Sequence, residues 1–449
     1  MIWCAPNGSV ARRQRIVART VIALFLVMPA IPAAGQGGQQ PSAVAANAAQ
    51  NEPAEAPAGL LDRQTLTDDW FGFGRQLESA GLAVRLTLVQ VYQQNLHGGL
   101  STHRHSGRYT GGYDLELEAD LEKIARLPGG SVYALGEGSW SDGIAPSSVE
   151  SWFGVNADAM GYRSLDLAEL WYEQSFLDER LIVRVGKLDL TGGFQCRGCC
   201  VAFDGSAFAN DQTTQFLNGA LVNNPSIPFP DRGLGAVVYF QPAEWWYTAA
   251  GVGDAQADAR ETGFNTAFHD EDYFFSIYET GVTPQLPSAN GPLQGAYRIG
   301  MWHDPRDKAR FDGSGAKHDD VGTYVSLDQA LCRESDREDD TQGLGVFARY
   351  GLADGKVNPI RCFWSAGVQY QGPIPTRDYD VVAFGAAQGL LSPDMGLSAA
   401  HETVLEAYYG IQVAPWLLAS PSIQYVFNPG GDGGAGDAVI IGFRLCSSF

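Results

Sequence analysis

The sequence predicts an all-β fold: a transmembrane antiparallel β-barrel of about sixteen strands, preceded by a short N-terminal helix. Three observations predict it. First, the chain closes on Ala438–Phe449, AVIIGFRLCSSF, in which Val439, Ile441, Phe443, Leu445 and Phe449 share one side and Ile440, Gly442, Arg444, Cys446 and Ser448 the other. A period of two, apolar outside and small or polar inside, suits a strand with lipid on one face. Second, such runs recur in an even number, as single-chain barrels require. Third, the connections sort by length. Asp178–Arg180, Pro242–Glu244 and Ala414-Pro415 are tight, whereas Leu96–Thr110, Asp142–Arg163, Thr191–Arg232 and Asp304–Asp320 are long. Short turns on one rim and long loops on the other are expected of a spanning barrel and not of a soluble sandwich.

The elements follow in order. Arg12, Arg13, Arg15 and Arg19 precede an apolar stretch, Val21–Ile31, and the small residues Ala33-Ala34-Gly35, the pattern of a secretory signal over residues 1–35 with cleavage after Gly35. That stretch is too short for a spanning helix, which needs about 20 apolar residues, and no other such run occurs, so a helical membrane protein is excluded. Residues 36–65 are a low-complexity lead-in rich in Ala, Gln and Pro that cannot bury a core of its own. Leu66–Gly81 reads as a helix begun by Thr67-Asp68-Asp69, with Trp70, Phe71 and Leu77 on one face and Gly81 at its end. Residues 66–449 then form the barrel domain. Its strands are predicted at 82–95, 111–122, 130–141, 164–177, 181–190, 233–241, 245–256, 273–282, 294–303, 321–330, 342–352, 360–371, 378–388, 402–413, 416–427 and 437–449.

Charge narrows the partners. The formal net charge is −21, and removing a signal with four Arg and no acid leaves the mature chain more acidic still. Nucleic acid, which needs a basic face, is excluded.

The same alternation names the lumen. Asp114, Glu116, Glu118, Asp120 and Glu122 point inward from the second strand, opposite Tyr113, Leu115, Leu117 and Ala119. Glu137 comes from the third strand, Glu169, Trp171 and Glu173 from the fourth, Arg184 from the fifth, and Glu402, Glu406 and Tyr408 from the fourteenth; Asp189, at the end of the fifth strand, is also expected to line the pore. The remaining arginines, Arg85, Arg298, Arg349, Arg361 and Arg444, must also face inward, because an Arg on lipid at the midplane costs about 2–4 kcal/mol. Acids and arginines come from different strands, which predicts a field across the lumen. A barrel of this size is wide enough for an aqueous channel. Aromatics (Trp171, Tyr408, Phe363, Trp302) beside charged groups suit a solute with apolar ring faces and a belt of hydroxyls. The longest loop, Thr191–Arg232, is expected to fold inward and narrow the channel.

Catalytic patterns are weak. The chain has no Gly-x-Ser-x-Gly elbow, and His401-Glu402-Thr-Val-Leu405 lacks the second His of a zinc-protease helix. No enzyme activity, catalytic residue, metal site or cofactor is expected. His97, His103 and His105 read as solvated loop residues. Six cysteines remain after Cys4 leaves with the signal: Cys196, Cys199, Cys200, Cys332, Cys362 and Cys446. A bridge within Cys196–Cys200 is allowed in an oxidising compartment, and the pairing stays open.

Three segments carry a family resemblance: Leu66-Thr-Asp-Asp-Trp-Phe-Gly-Phe-Gly-Arg75 with Leu77 and Gly81; Arg184-Val-Gly-Lys-Leu-Asp189; and Glu402–Arg444, with Pro415-Trp416, Pro421, Gln424-Tyr425 and Asn428-Pro-Gly-Gly431. Taken in order over residues 66–449, the chain resembles the carbohydrate-selective porins of the OprB family. It departs from them at Trp70-Phe71-Gly72, where the family usually has Trp-Gly-Gly, and in the cysteine-rich insert. The resemblance implies an outer-membrane porin passing monosaccharides such as glucose by diffusion. The partners it implies are outer-membrane lipid and lipopolysaccharide, and a barrel assembly machinery that reads Phe449; a homo-oligomer stays open. The rival readings are a non-conducting adhesive or structural barrel and a barrel-embedded hydrolase.

Overall fold

The computed structural model describes residues 59–191, 203–258, 272–337 and 340–449, and the backbone of 194–196 and 199–201. The expected signal and most of the lead-in lie outside the described residues, as do the side chains of Cys196, Cys199 and Cys200.

Among the described residues, sixteen strands close one antiparallel sheet, to which a two-residue strand, Gln285–Leu286, adds beside the ninth: β1 Leu82–Gly99, β2 Gly107–Asp120, β3 Gly130–Trp140, β4 Arg163–Phe176, β5 Leu181–Leu188, β6 Gly233–Ala243, β7 Trp246–Asp254, β8 Phe274–Val282, β9 Leu293–Asp304, β10 Asp320–Arg333, β11 Gly343–Leu352, β12 Ile360–Gln371, β13 Val381–Leu391, β14 His401–Ala414, β15 Leu417–Phe427 and β16 Gly436–Ser448. Each pairs with the next, and β1 pairs with β16 from Thr87↔Ser448 to Gly99↔Gly436. Closure leaves no strand edge unpaired, which a hydrocarbon environment demands. All sixteen predicted strands are present. Their ends moved mainly where a strand extends beyond its apolar outer face, as β1 does to Gly99.

The outer face is apolar. Leu117, Ile299, Met301, Val325, Phe384, Ile423, Ile441 and Phe443 are all exposed on it. Tyr92 stands opposite Tyr109 on one side and Phe443 on the other, an aromatic cluster towards the long-loop end. Tight turns at 177–180, 244–245 and 415–416 lie at one end and the loops 141–162, 189–232 and 305–319 at the other, as the sequence predicts.

The predicted N-terminal helix is split. Asp68–Phe71 form a left-handed turn, all with φ between 53° and 61°, and the right-handed helix α1 is only Phe73–Ser79. Gly72, at φ 82°, allows the change of hand between them. Thr67 Oγ1 accepts from Trp70 N at 3.1 Å, while the Trp70 indole donates to Val84 O at the foot of β1. Anchoring Trp70 to the barrel overrides the helical periodicity of the segment. The preceding residues are tied to the seam, Leu66 N donating to Ser448 O and Trp416 Nε1 to Leu60 O.

The barrel is not hollow. Loop residues Ile144, Val149, Val155, Phe216, Leu221 and Val222 are buried against Phe347, Phe363, Ala383, Ala387, Val404 and Ile440 of β11–β16. A second cluster sets Leu190, Phe203 and Ile227 against Tyr239, Tyr247, Phe275, Trp302 and Tyr324. The described residues 203–232 of the long loop therefore fold inward, as expected. Loop 141–162 does so too, which the sequence reading did not foresee. The two loops meet where Ala157 N donates to Leu217 O at 2.7 Å, and Val155 O accepts from Gln93 and Gln424 of the wall.

Candidate functional site: two walls of the lumen

The predicted lumen residues separate into two groups. The first lies on β1–β5. Arg85 stands directly opposite Glu116 on β2 and donates to Glu118 at 3.2 Å. These three keep contact with solvent, with side-chain exposures of 56%, 29% and 46%. On β4 the Trp171 indole donates to Glu169 Oε2 at 2.9 Å. Arg184 on β5 lies directly opposite Glu173, donates to it at 2.8 Å, and places its guanidinium 3.8 Å from the Trp171 ring centre. Tyr133, opposite Trp171 on β3, stacks on it at 4.7 Å. β3 and β5 flank β4, so Tyr133 and Arg184 cover both faces of the indole. Arg232, at the end of the long loop, bridges Glu137 and Asp189, the latter at 3.1 Å.

Local sequence makes this stack possible. Gly186 sits opposite Trp171 at φ 143°, and a Cβ there would lie 2.6 Å from Trp171 Cα. A side chain at 186 would push the indole off the wall. Arg232 outside the membrane-spanning strands is held charged, its pKa raised by Asp189 and Glu137 against the opposing effect of burial.

The second group lies mainly on β8–β16, and its charges hold loops. Arg349 is fully buried and donates to the carbonyls of Asp204, Ala209 and Leu221. Glu406 accepts from Leu217 N and Asn218 N, each at 2.9 Å. Arg444 donates to Gln212 O and Gln215 O at 2.9 and 2.6 Å. Glu402 accepts from Ser151, Trp152 N and Gly430 N. Arg298 pairs with Asp328 at 2.6 Å. Tyr408 meets Phe216 edge-on at 5.1 Å. Irregular loops inside a barrel carry backbone groups that water cannot reach, and these side chains satisfy them.

Five expectations change. Glu122 does not point inward from a strand, because β2 ends at Asp120, whose carboxylate caps a short helix, Leu121–Ala125. Glu402, Glu406, Arg349 and Arg444 face inward as predicted, yet loop backbone occupies their polar atoms and leaves little for a solute. Phe363 and Trp302 likewise face inward but are buried in the plug. Arg361 is not inward: a bulge between Ile360 and Cys362 hands the inward position to Ile360, and Arg361 is exposed over Gly355 at the rim. The expected sorting of acids from arginines gives way to cross-strand pairs, Arg85 with Glu116 and Arg184 with Glu173. The reading also missed Glu279, which accepts from Asp204 N and from the Tyr247 and Tyr324 hydroxyls. The alternation of β8, with Tyr278 outside, already pointed it inward. Tyr133 was legible in the same way; Arg232 was not, because it belongs to a loop.

A closed sixteen-strand barrel whose internal loop leaves a paired, hydrated charge ladder on one wall is a porin architecture. The family model for the carbohydrate-selective porin, OprB family, matches residues 104–449. The chain belongs to that family. It is similar to Porin B of Pseudomonas aeruginosa, with 25% identity covering 98% of this chain and 99% of that one. It also resembles the putative porin QuiX of Acinetobacter baylyi, at 22% identity over 86% of this chain and 94% of the relative. Among solved structures, the high-pH structure of Pseudomonas putida OprB covers 87% of this chain and is itself covered entirely, with a TM-score of 0.74 at 20% identity, a likeness of fold. This OprB-family chain is thus a sugar-selective porin of the outer membrane.

Proposed function

We propose that the porin passes monosaccharides such as glucose by passive diffusion along the β1–β5 wall. The observation that carries this is the ladder Arg85–Glu116–Glu118 beside the Tyr133–Trp171–Arg184 stack. Both faces of Trp171 are covered, so a sugar meets the edges of the stack and the hydroxyl, guanidinium and carboxylate groups around it. Each of these groups already has a partner. A sugar hydroxyl exchanges one hydrogen bond for another, and each exchange is worth only about 0.5–1.5 kcal/mol. Weak binding of this kind lets a solute enter and also leave. Paired carboxylates here line a channel; no enzymatic step is proposed for them.

Liposome swelling tests the reading. Swelling should be faster with glucose or xylose than with a disaccharide. Equal exclusion of every sugar would overturn it and favour a non-conducting barrel.

The remaining partners follow the family pattern. A cleaved signal over residues 1–35 would deliver the chain across the inner membrane, and the apolar outer face would meet lipid and lipopolysaccharide. Phe449, whose N donates to Leu86 O at the seam, would be read by the barrel assembly machinery. Deleting Phe449 should lower the amount of inserted barrel, measured by heat-modifiable gel mobility, and leave inserted molecules with near-normal conductance.

A further inference from the structure

A cavity of about 400 Å³ lies on the tight-turn side of the plug. Its walls are inward residues of β12–β16, among them Gln369, Gln371, Tyr408 and Gln412; Tyr379 and Trp416 stand on the adjoining turns, and Thr214 and Gln215 of the long loop also line it. None of its lining residues carries a formal charge. That sets it apart from the ion-paired wall on β1–β5.

We propose that this cavity is a second, exit-side subsite for an uncharged polyhydroxyl solute, the monosaccharide class itself. The proposal rests on the reading of the porin as a monosaccharide channel and deepens it.

Three features support it. First, three amides of the lining keep hydrogen-bonding capacity to spare. Gln371 Nε2 donates to Thr341 Oγ1 and Asp378 O, and Gln412 Nε2 to Ala414 O and Pro415 O, while the Oε1 atoms of both have no protein partner among the described residues. Gln369 Oε1 accepts a long 3.4 Å bond from the Tyr408 hydroxyl, and its Nε2 has no such partner. Donor and acceptor capacity in one cavity matches a hydroxyl, which is both. Second, Tyr379 is 69% exposed and lines the cavity, and an aromatic ring face is the surface that a sugar's apolar ring face seeks. Third, the volume falls within the range of small-molecule sites, about 300–1,000 Å³. Without charges, the cavity gives an ion no reason to stay and a sugar several weak contacts. A solute leaving the charged wall would be handed to a neutral one before release.

The experiment is glucose-induced current noise in a planar bilayer, with glucose added from the tight-turn side to oriented channels. In the parent porin glucose should bind measurably. In Tyr379→Ala/Gln369→Ala the association constant from that side should fall about fivefold, the loss of one or two weak contacts. Arg184→Ala, in the same assay, should weaken binding from both sides. If the double variant fails to insert, Gln369→Leu alone decides, with a fall of about twofold expected. Parent-like binding in the inserted cavity variant overturns the subsite while leaving the charged wall intact. Absence of glucose binding in the parent overturns the monosaccharide reading and the subsite together.

Discussion

The β1–β5 wall and the β8–β16 wall are built from the same residue types, and they do different work. On β1–β5, Arg85 and Arg184 pair with carboxylates of the neighbouring strand, and part of each group meets water. On β11–β16, Arg349, Glu406 and Arg444 spend their hydrogen bonds on loop backbone and are buried. The difference lies in what stands in front of the wall. Where the loops pack, charge becomes an anchor; where they stand off, charge is left for a solute.

The largest expected effect is on the anchoring wall. Arg349→Ala leaves three loop carbonyls and the buried Asp204 without their cation. Breaking such a site costs about 3–5 kcal/mol. The heat-modifiable gel transition should drop sharply, and the single-channel conductance should rise as the loop leaves the lumen. Unchanged conductance would mean that the loop does not depend on this anchor. Glu406→Gln, which keeps an acceptor for one of the two amides, should show a smaller change in the same direction.

Next comes the solvated wall. Arg184→Ala should lower the gel transition less than Arg349→Ala, since Arg184 pairs with a partly exposed carboxylate whereas Arg349 holds three loop carbonyls and Asp204. It should nevertheless relax the sugar preference in liposome swelling, or raise conductance, more than Leu170→Ala. If it unfolds the barrel as Arg349→Ala does, the two walls are not different in kind.

A smaller effect tests the boundary between them through pH. Asp158, in the inward loop 141–162, has its carboxyl pushed up to about 7, first by burial and then by Asp114, Glu137 and Asp211, with Arg444 acting the other way. A carboxyl whose folded pKa is raised stabilises the fold most at pH values below its unfolded pKa, about 3.9. That contribution disappears as pH rises through about 7. Asp158→Asn should therefore flatten the pH dependence of the gel transition between pH 4 and 8, with its gain at the alkaline end. A parent-like slope in the variant would show that loop 141–162 leaves Asp158 solvated.

How much of this was legible can be judged element by element. Alternation along AVIIGFRLCSSF fixes which side of the last strand meets lipid, because a period of two admits only two faces. It places Arg444 and Glu406 inside for the same reason. It could not say that Arg444 would meet Gln212 and Gln215, more than 200 residues away in sequence. Nor could it see the bulge at Ile360–Cys362, where one extra residue moves Arg361 out of the inward row. Trp171 reads as an aromatic platform from its strand alone, but Tyr133 and Arg184 reach its faces only when β3, β4 and β5 lie side by side.

The sequence by itself determined the strands, their number, the closing of β16 on β1 and, where no bulge intervenes, the side each strand residue faces. These follow from local periodicity, loop length and the cost of an unpaired edge or a charge in lipid. Only the tertiary structure decided which inward charges are anchors and which are open to solute. That depends on where loops 141–162 and 189–232 come to rest, and their backbone must find hydrogen-bond partners on whichever wall they reach.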